Sequence, residues 1–283
     1  MMKERLTITL DQEILKKIDE SIDGVNIRNR SHAIEKILDA ALLESVPNRA
    51  VILAGGKLVK SRGEGEIPRC MIRIKGKPIL EYVINELKRN SITNIIVSVS
   101  LGGERIMRHF GEGTSLGVKI NYTVEESPKG TEGALSLVKG FISGSSFFTV
   151  YGDNLFRLNL SEMYKQHVTT KSLATVALTT IGSTGGFGVT RLDGFKIVNF
   201  VEKPSSDTKS KLVSSGIFLF DFSVLNMLSA ERGQVSLERS LFPKLANSGK
   251  LYGYVFSGPW EPLDLKDVDG SIKRLEEFVE FYH

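Results

Sequence analysis

The feature of this chain that most constrains its fold is a repeated alternation of short apolar runs with helical stripes, which begins at residue 50. The runs predict strands, and apolar residues at helical spacing separate them. Four strands are predicted early in this part of the chain, at residues 50–53, 95–99, 120–123 and 147–151. This order favours an α/β fold, with a mixed, mostly parallel sheet and helices on both of its faces.

Three of the predicted connections carry residues that suit a ligand. In open parallel sheets, ligands bind beyond the carboxyl ends of the strands. Gly55 and Gly56 follow the first strand, and because they lack a Cβ atom their backbone N–H groups can approach a base or a phosphate closely. Asp153 follows a later strand, and Gly130 and Thr131 begin a helix whose amides would face a ligand. The sequence therefore predicts a site at this edge of the sheet.

The first 45 residues have a different pattern. Residues 5–10 alternate strictly between polar and apolar side chains, which predicts a short strand. Asp11 is a suitable N-cap for a first helix, and Asn29 begins a second cap in front of another helix. One strand and two short helices bury little apolar surface alone, so we expect two copies to pair their strands into an antiparallel ribbon.

A ribbon of this kind fits the major groove of double-stranded DNA. The order and spacing of the elements resemble a ribbon-helix-helix DNA-binding and dimerisation module, which implies a homodimer and leaves higher oligomers open. The predicted DNA-binding residues are Arg5, Thr7 and Thr9 at base edges, with Arg30 and Ser31 at phosphate. The alternative is a dimerisation arm without DNA, which the eight Lys/Arg and nine Asp/Glu of residues 1–49 favour.

Composition limits the remaining classes of protein. The single cysteine, Cys70, excludes an internal disulfide, and the four histidines lack the spacing of a zinc site. No apolar run approaches the length of a membrane span, so we expect a cytoplasmic protein without membrane contact. Pro47 ends the second predicted helix. Three parts are therefore predicted, namely a small module at 1–46, a linker at 47–49 and a large domain at 50–283.

From residue 50 onward the chain resembles the sugar-phosphate nucleotidylyltransferases, which join a nucleoside triphosphate to a sugar 1-phosphate and release pyrophosphate. The resemblance rests on short motifs that occur in the family's order. They include Leu53-Ala54-Gly55-Gly56, Gly76-Lys77-Pro78, Lys129-Gly130-Thr131, Gly152-Asp153-Asn154 and Glu202-Lys203-Pro204. It implies a Rossmann-like fold of the nucleotide-diphospho-sugar transferase type.

The resemblance also implies roles for individual residues. Nucleotide binding is implied for Leu53, Ala54, Gly55, Gly56, Lys57, Gly130 and Thr131. Sugar binding is implied for Gly188, Glu202 and Gly216, and catalysis for Arg62, Arg69, Asp153 and Lys203. A Mg²⁺ ion bound with the nucleotide is implied at Asp153 and Asp264. Asp264, however, lies two residues farther from Trp260 than the family's second metal carboxylate does.

The segment between Lys57 and Arg69 departs from the family's pattern. The family's Gly, Thr/Ser and Arg are missing from their positions after Gly56, and Arg69 stands where the family has Lys. Because nucleotidyl transfer depends on positioning and charge stabilisation, this departure predicts weakened or lost catalysis. The segment nevertheless stays cationic, through Lys57, Lys60 and Arg62.

Two functions are open at this point. The first is a DNA-binding transcriptional regulator whose large domain binds a nucleotide or nucleotide sugar as its effector, with catalysis weakened or lost. The alternative is an active, Mg²⁺-dependent sugar-phosphate nucleotidylyltransferase that the N-terminal module dimerises. The altered segment and the module in front of it favour the first hypothesis. If the protein is an enzyme, its class is nucleotidyltransferase.

Overall fold

Two units make up the chain, residues 1–45 and 46–283. The computed structural model describes residues 7–25, 27–44, 46–61, 65–144, 146–206, 208–228 and 234–282. The first unit contains two helices, α1 (Gln12–Glu20) and α2 (Arg30–Glu44). Both predicted caps are confirmed: Asp11 accepts the backbone N–H of the second residue of α1 at 2.8 Å, and Asn29 accepts an N–H in the first turn of α2 at 2.9 Å.

The predicted strand in front of these helices is not formed by the residues that the structure describes. Residues 7–10 belong to no helix or strand, and Arg5 lies outside the described residues. A single strand lacks a hydrogen-bonding partner within one chain, so a second molecule would have to supply it. Arg30, predicted to meet phosphate, is instead paired with Asp19 through two hydrogen bonds of 2.6 and 2.7 Å. The homodimer stays a prediction, which the mass of the purified chain by light scattering would decide.

The second unit alternates strands and helices, as its sequence predicts. Its strands are β1 (Arg49–Leu53), β2 (Leu58–Ser61), β3 (Gly65–Pro68), β4 (Arg73–Ile74), β5 (Lys77–Pro78), β6 (Asn94–Val99), β7 (Lys119–Val124), β8 (Phe147–Tyr151), β9 (Asn154–Phe156), β10 (Ala174–Thr180), β11 (Gly188–Asp193), β12 (Lys196–Glu202), β13 (Leu212–Phe220), β14 (Leu251–Val255) and β15 (Trp260–Pro262). Its helices are α3 (Ile79–Arg89), α4 (Gly103–Phe110), α5 (Gly130–Ser136), α6 (Leu160–Thr170), α7 (Leu241–Asn247) and α8 (Val268–Tyr282). Short 3₁₀ turns occur at Arg69–Met71, Thr114–Leu116, Leu137–Gly140 and Phe222–Asn226. Across the described ranges, none of the helices has both the length and the apolar character that crossing a membrane demands.

Nine strands form one sheet, in the order β10-β14-β12-β11-β13-β8-β1-β6-β7. The neighbours β8, β1, β6 and β7 run parallel, as do β10 and β14. The remaining pairs are antiparallel, and β10 also pairs with β13, which closes five strands into a ring. The α/β fold is confirmed, but parallel pairing dominates only in the half built from the first strands. The short connection between β11 and β12 allows only an antiparallel neighbour.

Helices cover both faces of the parallel half of the sheet. Along β1, Ala50 and Ile52 enter one buried cluster, whereas Val51 and Leu53 enter the other. Side chains of α3, α4, α6 and α8 complete the first cluster, and those of α5 and α7 complete the second. Because both faces of the strand are covered, a ligand can reach it only beyond its carboxyl end.

His167 on α6 makes the free energy of unfolding depend on pH. Its Nδ1 lies 2.8 Å from Thr175 Oγ1 and 2.9 Å from Ser172 Oγ, and burial lowers the pKa of the ring from 6.5 to about 4. Between these two values only the unfolded chain takes up the proton, so acidification through this window stabilises the unfolded state. We expect this residue to lower the free energy of unfolding by about 3 kcal/mol between pH 6.5 and pH 4.

Urea denaturation at a series of pH values measures this dependence. In His167→Gln the ring is absent, so the free energy of unfolding should fall less steeply over the same window than it does in the natural chain. Equal slopes in the two proteins would show that His167 does not titrate in the way its burial implies.

Candidate functional site

The carboxyl ends of the parallel strands bring four loops together. Gly56, Ser100, Glu125 and Asp153 lie just beyond β1, β6, β7 and β8, at one edge of the sheet. The Gly56 N–H donates to the Ser100 hydroxyl at 3.0 Å, which ties the glycine-containing loop to the next strand. Gly56 and Asp153 thus lie at the edge where sequence analysis expected them, and a ligand site there stays a prediction.

A hairpin takes the place of the loop that the sequence suggested after β1. Its strands β2 and β3 are antiparallel, with Leu58 opposite Pro68. This pairing sets Lys57 and Arg69 side by side at the base of the hairpin, where both line one cavity. Arg62, predicted to be catalytic, lies outside the described residues. Lys57 and Arg69 directly flank the paired strands, so the ladder fixes the backbone next to both of them.

The first cavity, which we call the glycine cavity, has a volume of about 240 Å³. It lies between the end of β1 and the start of α5. Its lining includes most of the residues predicted to bind nucleotide, namely Leu53, Gly55, Gly56, Lys57, Gly130 and Thr131. Ala54 is buried beside them. The structure therefore brings this predicted set together, while its binding of a nucleotide stays a prediction.

Glu125 is a residue of the glycine cavity that sequence analysis missed. Its side chain is buried, and Oε1 accepts the Lys129 N–H at 3.2 Å. Burial raises the pKa of this carboxyl, because an ionised group loses hydration there. A ligand that donates hydrogen bonds to the carboxylate would restore that lost stabilisation. The signal was present in the sequence, since Glu125 directly follows a strand at the edge where ligands bind.

The second cavity, which we call the carboxylate cavity, has a volume of about 300 Å³. Its lining includes the residues predicted to bind sugar, namely Gly188, Glu202 and Gly216, together with Lys203 and Asp153. Burial, and next to it the charge of Glu238, raises the pKa of Glu202. Lys203 Nζ lies 3.6 Å from Glu202 Oε1, close enough to offset part of that charge. This cavity therefore offers hydrogen-bond acceptors beside a cation.

Glu238 connects the two cavities and was given no role by sequence analysis. Its carboxylate accepts hydrogen bonds from the hydroxyl of Tyr151 and, at 3.2 Å, from that of Thr131. Tyr151 and Thr131 line both cavities. Burial, with the charge of Glu238 next, raises the pKa of Tyr151 well above its ordinary value, so the phenol keeps its proton and remains a donor. The network fixes the wall between the cavities.

Gly216 in this wall is required by packing. Its φ is +75°, and a Cβ atom there would lie 2.3 Å from the ring of Tyr151. Neighbouring aromatic side chains complete the cavity: the rings of Phe187 and Trp260 meet edge to face at 5.5 Å. The indole N–H of Trp260 donates to the Ser215 carbonyl at 2.9 Å, which holds the ring in place.

Arg69 and Asp153 form an ion pair where the cavities meet, with Nη1 and Oδ2 3.3 Å apart. Arg69 lines the glycine cavity, the carboxylate cavity and a third cavity of about 550 Å³, which we call the Asp264 cavity. Asp264 is exposed and lines only this third space among the three, and its Oδ1 accepts the Lys266 N–H at 2.9 Å. Its predicted role as a metal ligand stays a prediction.

Residues 49–269 match the family model described as nucleotidyl transferase. The chain belongs to this family. Among curated relatives, mannose-1-phosphate guanylyltransferase of Mycobacterium tuberculosis is 29% identical over 76% of this chain and 60% of its own length. The bifunctional protein GlmU of Methanococcus maripaludis is 33% identical over 76% of this chain and 51% of its own length. The chain thus spans half to three fifths of these relatives.

A solved structure from Bacillus anthracis, provisionally described as a glucose-1-phosphate thymidylyltransferase, superposes with a TM-score of 0.73. It is 23% identical and the match covers 83% of this chain and 96% of that one, so the likeness supports the fold. A structure of HddC from Yersinia pseudotuberculosis gives a TM-score of 0.68 at 22% identity, over 80% of this chain and 99% of that one.

These matches overturn the first functional hypothesis, a DNA-binding regulator with weakened or lost catalysis. The Mycobacterium tuberculosis relative is named as a guanylyltransferase, and the family match begins at residue 49 and so leaves out the segment to which DNA binding was assigned. No match supports a ribbon-helix-helix module in that segment. The altered segment was given too much weight, because the sequence shows that its cations are present but not that Lys57 and Arg69 line one cavity.

Proposed function

We propose that the protein transfers a guanylyl group from GTP to a sugar 1-phosphate and releases pyrophosphate. The observation that carries this proposal is the pair of adjoining cavities that share Arg69, Thr131 and Tyr151. One cavity has a glycine-rich wall with two cations, and the other has carboxylates beside a lysine. A nucleotide and a sugar phosphate bound in them would meet at Arg69. The family match and the names of the relatives support the same reaction class.

The reaction needs few protein groups beyond those that position and neutralise charge. An oxygen of the sugar phosphate attacks the α-phosphorus of GTP, and the bond from that phosphorus to the oxygen bridging to the β-phosphate breaks. Pyrophosphate leaves with the bonding electrons. Arg69 would stabilise the charge that gathers between the cavities, and Lys203 would bind the phosphate of the sugar. Glu202 would accept hydrogen bonds from sugar hydroxyls.

The residues present fit a Mg²⁺ ion that arrives with phosphate. Mg²⁺ is usually held by one or two carboxylates together with oxygens of the substrate. Asp153 supplies one carboxylate that lines the carboxylate cavity, and the described residues contain no group of three or more metal-binding side chains. Asp153 would hold the ion, which when bound supplies positive charge to the reacting phosphates. Arg69, Lys57 and Lys203 provide the remaining positive charge.

Glu125 supports guanine as the base. The N1–H and the N2 amino group of guanine are adjacent donors, which match the two oxygens of one carboxylate. Uracil and thymine present only one donor on the corresponding edge. A buried carboxylate with a raised pKa gains most from a ligand that supplies both donors. The name of the Mycobacterium tuberculosis relative agrees with this choice of base.

Replacing Glu125 by glutamine should lower kcat/KM for GTP by about 10- to 100-fold, because a hydrogen bond to a charged group contributes about 1.5–3 kcal/mol. The amide keeps the shape but turns one acceptor into a donor that faces the donors of guanine. Initial rates with GTP and UTP measure the change in preference. A variant that loses activity equally with both nucleotides would assign Glu125 to folding of the cavity and not to the base.

Pyrophosphate release from each pairing of GTP, UTP, TTP, ATP and CTP with mannose, glucose and N-acetylglucosamine 1-phosphates tests the proposed function. We expect turnover to require both substrates and to be fastest with GTP. The reverse reaction, in which pyrophosphate cleaves the nucleotide sugar, should occur with the same pair. Absence of pyrophosphate from every pairing, with a folded protein and Mg²⁺ present, would refute the proposal.

A further inference from the structure

Arg69 is paired with one oxygen of Asp153, the carboxylate that the proposed function assigns to the metal ion. One of its nitrogens is 3.3 Å from Asp153 Oδ2, and another is 3.5 Å from where a Cβ of Gly56 would stand. The guanidinium therefore extends from the glycine-containing loop to the carboxylate. The side chain of Asp153 is only 9% exposed, and that of Arg69 is 29% exposed. The face of Asp153 that borders the cavities is thus partly covered by a cation.

In the family, the second metal carboxylate lies two residues closer to Trp260 than Asp264 does. In this chain that position holds Pro262. Pro262 pairs with Asn154 in the ladder of β15 and β9, directly next to Asp153 along the chain. A proline offers no ligand to a metal from its side chain. Asp264 lines the neighbouring cavity, with one oxygen already accepting a backbone N–H.

The charges of Asp153 and Arg69 determine how strongly the free protein attracts a divalent cation. One carboxylate paired with one guanidinium has no net charge, so it attracts a divalent cation weakly, and the guanidinium repels the cation at short range. A triphosphate changes this balance because it carries several negative charges and is the stronger partner for an arginine. Once Arg69 contacts phosphate oxygens, Asp153 is freed, and the same phosphates supply the other ligands that Mg²⁺ needs.

We propose that Arg69 is a cation gate, which occupies Asp153 in the free protein and admits a divalent ion only when a triphosphate draws the guanidinium away. The identity of the triphosphate rests on the proposed function, whereas the closed state of the gate does not. By linkage, the nucleotide must raise the affinity for the ion by the factor by which the ion raises the affinity for the nucleotide. Arg69 thereby orders the binding of the two.

Binding of Mn²⁺ to the free protein tests the closed gate, with the unbound ion measured by electron paramagnetic resonance. We expect Arg69→Gln to bind Mn²⁺ about tenfold more tightly than the natural chain, because it removes the competing charge. Arg69→Lys should return the affinity towards that of the natural chain, since lysine restores the charge. Asp153→Asn introduced into Arg69→Gln should abolish the gain.

Lys57→Gln is the matched control, because it removes one positive charge from the same cavity without touching Asp153. It should change Mn²⁺ affinity by less than about twofold. Thermal unfolding of each variant confirms that the comparison is between folded proteins. The proposal is overturned if Arg69→Gln binds Mn²⁺ no more tightly than the natural chain, or if Lys57→Gln gains as much.

Titration of the free protein with GTP tests the open gate, without any sugar phosphate present. We expect the GTP affinity of the natural chain to rise with Mn²⁺ by a larger factor than that of Arg69→Gln, whose gate is already open. Equal factors in the two proteins would also overturn the proposal. If the protein binds no nucleotide at all, the proposed function fails, and the Mn²⁺ measurements on the free protein still decide the closed state.

Discussion

Replacing Asp153 by asparagine is expected to lower kcat/KM for nucleotidyl transfer by about 10³-fold. The change removes the negative charge that pairs with Arg69 at 3.3 Å and that would hold the divalent ion, yet it preserves the size and shape of the side chain. Without the ion that Asp153 would hold, the reacting phosphates lose the positive charge that stabilises them in the transition state. Initial rates of pyrophosphate release, at saturating and at limiting Mg²⁺, measure the loss.

Two further variants make this result specific. Asp193→Asn, at the exposed end of β11, should keep the rate of the natural chain because it lies at a turn away from the cavities. Asp264→Asn tests the predicted role of Asp264 as a metal ligand. A loss of kcat/KM comparable with that of Asp153→Asn would make Asp264 the second ligand. Turnover by Asp153→Asn within tenfold of the natural chain would remove Asp153 from the reaction.

The strands that form the site were predictable because their signals are local. The predicted run at residues 147–151 coincides with β8 (Phe147–Tyr151), and the run at 50–53 falls within β1 (Arg49–Leu53). Each is a short apolar segment between turn residues, buried on both faces. The rule that ligands bind beyond parallel strand ends then placed Gly55 and Asp153 at one edge without any knowledge of side-chain contacts.

The antiparallel half of the sheet was not predictable in this way. Its ring depends on pairings between distant segments, such as Lys196 with Tyr252 and the strand from Ala174 with that ending at Phe220. No periodicity within either segment specifies its partner, because register is set by what the two segments bury together. The overall class was therefore right while the share of parallel pairing was overestimated.

The site shows the same division between local and distant signals. The glycines and Asp153 were given roles because of their motifs. Glu238 also lies in a family motif, Ser236-Leu237-Glu238, but it was given no role because the hydroxyls that it binds, those of Thr131 and Tyr151, belong to residues far from it in the chain. The hairpin of β2 and β3 returns Arg69 to the side of Lys57 despite an altered loop sequence. A motif compared residue by residue does not show this placement, so the altered segment was given too much weight against the enzyme hypothesis.

Replacing Gly130 by alanine should lower the free energy of unfolding by about 3 kcal/mol or more and abolish nucleotide binding. Its φ is +78°, and the new Cβ would lie 2.3 Å from the carbonyl oxygen of Val235. That carbonyl accepts the Glu132 N–H at 3.1 Å, and the Val235 N–H donates to Lys129 at 2.9 Å. The methyl group must therefore push apart two backbone segments that line or border the glycine cavity.

Gly76→Ala separates the two causes of this loss. Gly76 also has a positive φ, +85°, but a Cβ there would meet no atom within 4 Å. Gly76→Ala should lower the free energy of unfolding by only about 1 kcal/mol, which is the conformational part of the penalty. It should leave nucleotide binding intact. Urea denaturation and calorimetric titration with GTP measure both quantities in both variants. If the two alanines destabilise the chain equally, the contact with Val235 is not what requires a glycine at the start of α5, and strain in the backbone alone explains it.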